Sequence, residues 1–225
     1  MRLKALYEEC GLFEKKAQKV SVVENTEPFL QELSKIKDFD KRIEFAEKHC
    51  KKKLGEGSSR VCFQLNDEFI MKVSFNEKGC AQSKTEMKPV VQRDCVNAAL
   101  VADPDGKWII FHMTQPLTEK KFKEIMGYSF TEFTNSLFYK FNQESDKWKK
   151  PKKYDEITEN AFYCCIASLV YSADLLIGDL SKISSWKLKD GKVVLTDAGL
   201  DRDTYAAHYE RETSSGNKTS VKSSE

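Results

Sequence analysis

Four ionisable side chains, Lys72, Glu86, Asp179 and Asp197, stand in an order and among neighbours that suit the chemistry of phosphate groups. Lys72 sits inside the apolar run Ile70-Met71-Lys72-Val73, where an unpaired ammonium would be costly, so a carboxylate or a phosphate is its natural partner. The alternative is an edge-strand lysine that points to water. Glu86, with Glu77 as a competitor, lies on the next segment and is placed to reach back to Lys72. Asp179, in Ile177-Gly178-Asp179-Leu180, and Asp197, in Leu195-Thr196-Asp197-Ala198-Gly199-Leu200, each follow an apolar stretch and precede a loop. Two carboxylates at one mouth can divide the work: one orients an attacking hydroxyl and the other holds Mg²⁺. Upstream of all four is Gly55-Glu56-Gly57-Ser58-Ser59-Arg60. Glycines there let the backbone approach polyphosphate and aim N–H groups at anionic oxygens, although a plain turn between two elements would also use them.

These residues need a scaffold, and the pattern around them supplies one. Val61 and Phe63, then Phe69, Met71 and Val73, alternate with more polar neighbours across an Asn66-Asp67 turn, which predicts a hairpin after the glycine-rich loop. Asn76 to Lys88 reads as a helix ended by Pro89, and Trp108 to Met113 as a strand after the Asp105-Gly106 turn. Helices are expected over 118–142 and 155–177, and a second hairpin over 186–197 turns at Lys189-Asp190-Gly191. Phe29, Leu30, Leu33 and Ile36 fall at helical spacing near the N-terminus. Strands come before helices, so the fold class is α+β, with a β-rich part, a reduced helical part and a cleft between them. The expected division is an N-terminal helical extension over 1–50, a strand-rich lobe over 51–115, a helical lobe over 116–210 and a disordered tail over 211–225.

The order of glycine-rich loop, strand lysine, helix glutamate and two loop aspartates resembles the protein-kinase superfamily. That resemblance implies a two-lobed kinase-like fold that binds ATP and Mg²⁺ and transfers the γ-phosphate to protein serine or threonine hydroxyls. Under it Lys72 anchors the phosphates with Gly55, Gly57, Ser58, Ser59 and Arg60, and Glu86 positions Lys72. Asp179 is catalytic with Lys182 beside it, and Asp197, heading an Asp-x-Gly motif, is a metal ligand. The segment 111–117, with Met113, stands as the hinge that receives adenine. The wording Gly-Ser-Ser-Arg and Asn76-Glu77-Lys78-Gly79 also resembles small kinase-like proteins encoded by bacteriophages, which implies action on host proteins.

Three features depart from that pattern. Arg60 takes the place of a third glycine and is either a cation for the phosphates or a surface side chain. Ser184 stands five residues after Asp179, where an asparagine usually holds a second metal; its hydroxyl is a shorter and weaker ligand. Only 26 residues follow Gly199, too few for a full activation segment and the helices beyond it. A rival reading is therefore a pseudokinase, a binding module that occupies a partner protein. A small-molecule phosphotransferase is a third.

Composition narrows the class further. With 225 residues, 40 % of them hydrophobic, and a net charge of +2, the chain can bury a core and is no electrostatic nucleic-acid binder as a whole. The basic run from Lys147 to Lys153 reads as a solvated linker. Seven cysteines without a CxxC pair predict reduced thiols rather than a disulfide framework or zinc site. The N-terminus has no signal-peptide pattern, and the apolar stretch 161–176 is too short for a bilayer and reads as a buried helix. The expected place is the cytoplasm, with ATP and a protein substrate as partners.

Overall fold

A computed structural model describes residues 26–142 and 147–210. The expected disordered tail and residues 1–25 of the expected helical extension lie outside them.

The described chain is a mixed α+β structure. A five-stranded antiparallel sheet of order β1-β2-β3-β5-β4 is built from β1 (Lys52–Glu56), β2 (Arg60–Gln64), β3 (Phe69–Ser74), β4 (Ala99–Ala102) and β5 (Trp108–His112). The hairpin expected from alternation is β2–β3, paired from Arg60↔Ser74 to Gln64↔Ile70. β3 then pairs with β5, setting Lys72 opposite Ile109 and Ile70 opposite Phe111. β1 and β4 carry no alternation strong enough to announce them. Lys52–Glu56 is exposed throughout, and its pairing with β2 is interrupted by a bulge between Lys53 and Gly55.

One face of this sheet is covered by α1 (Glu27–Lys35) and α2 (Phe39–His49). Leu30, Leu33 and Ala46 share a core with Val61, Phe63, Met71, Val73, Trp108 and Ile110. Arg42 of α2 is buried and donates to the carbonyls of Ile36 and Ser74, which ties the helical pair to β3. Helix α3 (Glu77–Met87) starts at Asn76, whose side chain accepts from the Gly79 N–H. A Cβ on Gly79 would stand 2.2 Å from the Ser59 carbonyl oxygen, so only glycine lets this helix press against the loop before β2. A 3-10 turn, Pro89–Val91, follows.

The helical remainder is more broken than the sequence pattern suggests. The expected helix over 118–142 is two: α4 (Glu119–Met126), stopped by Gly127 at φ 81°, and α5 (Phe130–Phe141), opened by a Ser129/Glu132 capping box. The expected helix over 155–177 splits into α6 (Tyr154–Thr158) and α7 (Ala161–Ala173), because Asn160 caps a new start by accepting from the N–H groups of Phe162 and Tyr163. After a one-turn helix α8 (Ile177–Leu180) come β7 (Trp186–Lys189) and β8 (Lys192–Leu195), which form a three-stranded sheet with β6 (Gln115–Pro116). A final helix, α9 (Arg202–His208), closes the described chain. Phe122, Phe133, Leu137, Ile166, Leu169 and Trp186 anchor the core of this part.

Cys95 and Cys165 are joined by a disulfide, contrary to the expectation of thiols throughout. Seventy residues separate the two, so only the packing of α7 against the segment after the 3-10 turn brings them together. Cys50, Cys62 and Cys80 keep their thiols. Among the described residues no helix is long and apolar enough to cross a membrane, and the stretch 161–176 is in large part the buried helix α7.

Candidate functional site

The glycine-rich segment is a tight hairpin between β1 and β2, closed by the Gly57 N–H donating to the Arg60 carbonyl at 2.9 Å. Its far side is pinned to α3. Ser59 donates its hydroxyl to Gln82 Oε1 at 2.6 Å, and Asn76 donates to the Ser58 carbonyl. A Cβ at Gly55 would meet nothing within 4 Å, and one at Gly57 only the Arg60 carbonyl at 3.7 Å. The protein's own packing therefore leaves open space beside both glycines, on a hairpin that bulges between Lys53 and Gly55.

Below the hairpin lies a network of four charges. Lys72 Nζ donates to Glu86 Oε1 at 2.9 Å and to the Thr196 carbonyl at 2.7 Å, and stands 3.7 Å from Asp197 Oδ1. Glu86, not its competitor Glu77, is thus the partner of the strand lysine. Arg60 donates to both oxygens of Glu86, at 2.5 and 3.3 Å, and to Asp197 Oδ1 at 2.9 Å. Its side chain is only 8 % exposed, so the surface alternative for Arg60 is wrong. It is buried because β2 turns it inward onto the carboxylates of α3 and the loop after β8. The ammonium of Lys72 also lies 4.9 Å from the centre of the Phe111 ring. Desolvation alone would raise Asp197, but Lys72 and Arg60 outweigh it and hold the carboxyl below its usual value. Arg60 shows the mirror image: burial lowers it, while Glu86 and Asp197 more than compensate.

Asp179 sits in α8, and a set of bonds fixes it relative to Asp197. Ser185 Oγ donates to the Asp179 carbonyl at 3.0 Å, the Thr196 N–H donates to the Ser185 carbonyl at 2.8 Å, and Trp186 Nε1 donates to the Leu180 carbonyl. The segments that carry the two aspartates are therefore laced together through residues 185 and 196. Lys182 donates to Asp179 Oδ1 at 2.6 Å, and that bond raises the lysine's pKa.

These groups face one cavity of about 560 Å³. Gly55, Gly57, Ser58, Ser59, Arg60, Lys72, Asp179, Lys182, Ser184 and Asp197 all wall it, so residues up to 142 positions apart in the chain converge there. Glu86 is 3 % exposed and lies beneath the wall, bonded to two of its cations. Met113 does not wall this cavity; its N–H donates to the Glu68 carbonyl at 2.6 Å, extending the β3–β5 ladder. The neighbouring His112 carbonyl accepts from Asn97 Nδ2 at 2.9 Å.

Other wall residues were invisible to motif reading. Gln82 lies one turn before Glu86 on α3, a spacing that could have marked it. Tyr205 and Tyr209, four apart, close the cavity from the C-terminal side with stacked rings 5.5 Å apart, and Tyr209 OH accepts from Gln82 Nε2. Cys62 is a neutral wall, since burial pushes its thiol up ahead of the opposing pull of Lys72 and Arg60. The helix that carries Tyr205 also braces α3. Asp201 is buried, accepts from Thr85 Oγ1 at 3.0 Å and Lys88 Nζ at 2.6 Å, and caps α9 through the Thr204 N–H.

Asp197 and Ser184, the two expected metal ligands, both wall the cavity. The Oδ1 of Asp197 already carries a guanidinium and faces an ammonium, and among the described residues no three His, Cys, Asp or Glu side chains converge as metal ligands. Compared with protein-family models, curated proteins and solved structures, the chain matches none.

Proposed function

We propose that this chain is a small kinase-like phosphotransferase with a sheet-rich and a helical lobe, which binds ATP between them and phosphorylates protein serine or threonine hydroxyls. The observation that carries the reading is that Lys72, held at 2.9 Å by Glu86 beneath the wall, faces the same cavity as Asp179 and Asp197. A lysine held by a buried glutamate beneath a glycine-bearing hairpin is arranged to bind phosphate oxygens without wandering. Lys72 and Arg60 then hold the phosphates from the sheet side. Asp179, 29 % exposed, orients an acceptor hydroxyl. The acceptor oxygen attacks the γ-phosphorus as the bond to the ADP oxygen breaks, and the acceptor proton passes to Asp179. Charge stabilisation and positioning supply the rate, with general-base help worth roughly 10²–10⁴.

A second reading, a nucleotide-binding module without efficient transfer, draws on two contacts. Arg60 occupies Asp197 Oδ1, and Lys182 occupies Asp179 Oδ1.

The test is incubation of the purified chain with γ-labelled ATP and cell lysate, with and without Mg²⁺, beside Asp179→Asn. Transfer to protein that falls at least about 100-fold in the variant supports the kinase reading. ATP binding with no label on any protein in either sample favours the module, and equal labelling by both proteins removes Asp179 from the mechanism.

A further inference from the structure

We infer that Gln82 is a positioning residue that couples α9 to the glycine-bearing hairpin, so that the hairpin's hold over the cavity depends on the docking of Tyr209. The bearing of this on ligand affinity rests on the reading of the cavity as a triphosphate site; the coupling itself does not.

Three segments of the cavity wall, far apart in the chain, meet on this one residue. Ser59 of the hairpin is 3 % exposed and donates its hydroxyl to Gln82 Oε1 at 2.6 Å. From the other side of the same amide, Nε2 donates at 3.2 Å to the hydroxyl of Tyr209, which caps the end of α9 and lies 127 positions away. The loop after Asp197 packs on the stem: a Cβ added at Gly199 would stand 2.9 Å from the Gln82 carbonyl oxygen and 3.0 Å from the Gln82 Cβ. Gln82 is itself only 8 % exposed, so water does not stand ready to replace a lost bond.

A carboxamide is planar, with its acceptor and its donors on opposite sides, so fixing one end fixes the other. When the Tyr209 hydroxyl is withdrawn, a buried NH₂ loses its acceptor, and the amide turns to find another at the expense of the oxygen it offers to Ser59. Two other bonds hold the hairpin: Asn76 donates to the Ser58 carbonyl, and the Phe75 N–H donates to the Ser59 carbonyl. Both start from the segment before α3, whereas the Ser59–Gln82 bond leads on to α9. Tyr209 has anchorage of its own. Its ring stacks on Tyr205 with centres 5.5 Å apart, and the Lys78 ammonium lies 4.3 Å from its centre. Removing the hydroxyl alone therefore leaves α9 in place and probes the amide. Under the triphosphate reading the hairpin covers the phosphates, and a hairpin held in place binds them more tightly.

The experiment is native-state hydrogen exchange of the full chain, read at the amides of Gly57 and Phe75, in wild type, Tyr209→Phe, Gln82→Leu and Gln82→Glu. Each protein is also titrated with a non-hydrolysable ATP analogue in Mg²⁺. Tyr209→Phe is expected to speed exchange at both amides about three- to tenfold, the worth of one hydrogen bond, and Gln82→Leu by at least as much. Gln82→Glu, whose second oxygen accepts from the Tyr209 hydroxyl, is expected to keep wild-type exchange. Faster exchange confined to α9 in Tyr209→Phe, or no change at all, overturns the coupling. A Gln82→Glu that exchanges as fast as Gln82→Leu overturns the amide as its carrier. The analogue is expected to bind Tyr209→Phe about three- to tenfold more weakly than wild type, and equal affinities overturn the link to the ligand. No binding to wild type removes the triphosphate reading while the exchange rates still decide the coupling, so the two failures are distinct.

Discussion

The two sides of the cavity are built differently. On the sheet side Lys72, Arg60 and Glu86 are at most 13 % exposed and cross-bonded to one another and to Asp197. On the opposite side Asp179 and Lys182 form one pair, 29 % and 64 % exposed. Buried charges hold their geometry because breaking any contact leaves a partner desolvated and unpaired, while an exposed pair is screened and rearranges at little cost. The sheet side is the more rigid frame, and the other side keeps the freedom to rearrange. Under the proposed function, the frame would hold the nucleotide and the freer side would receive the acceptor.

The sharpest way to break this contrast is Glu86→Gln. Removing the central carboxylate of the buried network is expected to cost about 3–5 kcal/mol, read as a lower urea midpoint at unchanged slope. A loss no greater than that of an exposed pair would mean that the sheet side is not a frame at all. Gly79→Ala comes next. Its Cβ would collide with the Ser59 carbonyl, and the expected cost is about 3 kcal/mol, with loss of nucleotide affinity as the hairpin is pushed off α3.

Asp201 tests whether α9 belongs to the frame. Its carboxyl, held by Lys88, Thr204 and Thr85 against the opposing effect of burial, is pulled down to about 2 from 3.8. A depressed carboxylate contributes stability that is complete above the unfolded value and is lost as pH falls from about 4 towards 2. The size is about 2 kcal/mol. Asp201→Asn is expected to lose that much at neutral pH and to flatten the acid limb of the stability curve; an unchanged limb would remove Asp201 from the brace. The smallest effect is that of Lys182→Ala, below about 1 kcal/mol in thermal or urea unfolding, as for other exposed pairs. A larger loss would place Lys182 in the frame and collapse the comparison.

Much of the frame was legible because it follows from local rules. The β2–β3 hairpin shows in the alternation of Val61 to Val73, α3 in the cap at Asn76 and the stop at Pro89, and β7–β8 in the Asp190-Gly191 turn. Order and texture singled out Lys72, Glu86, Asp179 and Asp197; Lys72 pairs with Glu86 at 2.9 Å, and Lys72, Asp179 and Asp197 wall one cavity. Breaks within helices were harder, because Gly127 and Asn160 interrupt runs whose apolar spacing continues across them. β1 was missed since an exposed edge strand of lysines and a glycine has no periodicity. Met113 was placed by its position along the strand, yet which way its N–H points depends on ladder register, which set it against Glu68.

What the amino-acid sequence determined by itself is the menu: an α+β chain, a glycine-bearing turn ahead of a lysine-bearing strand, and carboxylates ending two apolar runs. Caps, turns and alternation act over a few residues, so they can be read along the chain. The tertiary structure alone decided the partners. Whether Arg60 faced water or Glu86, whether Cys95 met Cys165, and whether Tyr205 and Tyr209 closed the cavity depend on contacts between residues 26, 70 and more than a hundred positions apart. Such contacts are set by how whole elements pack against a common core, and no local pattern records that.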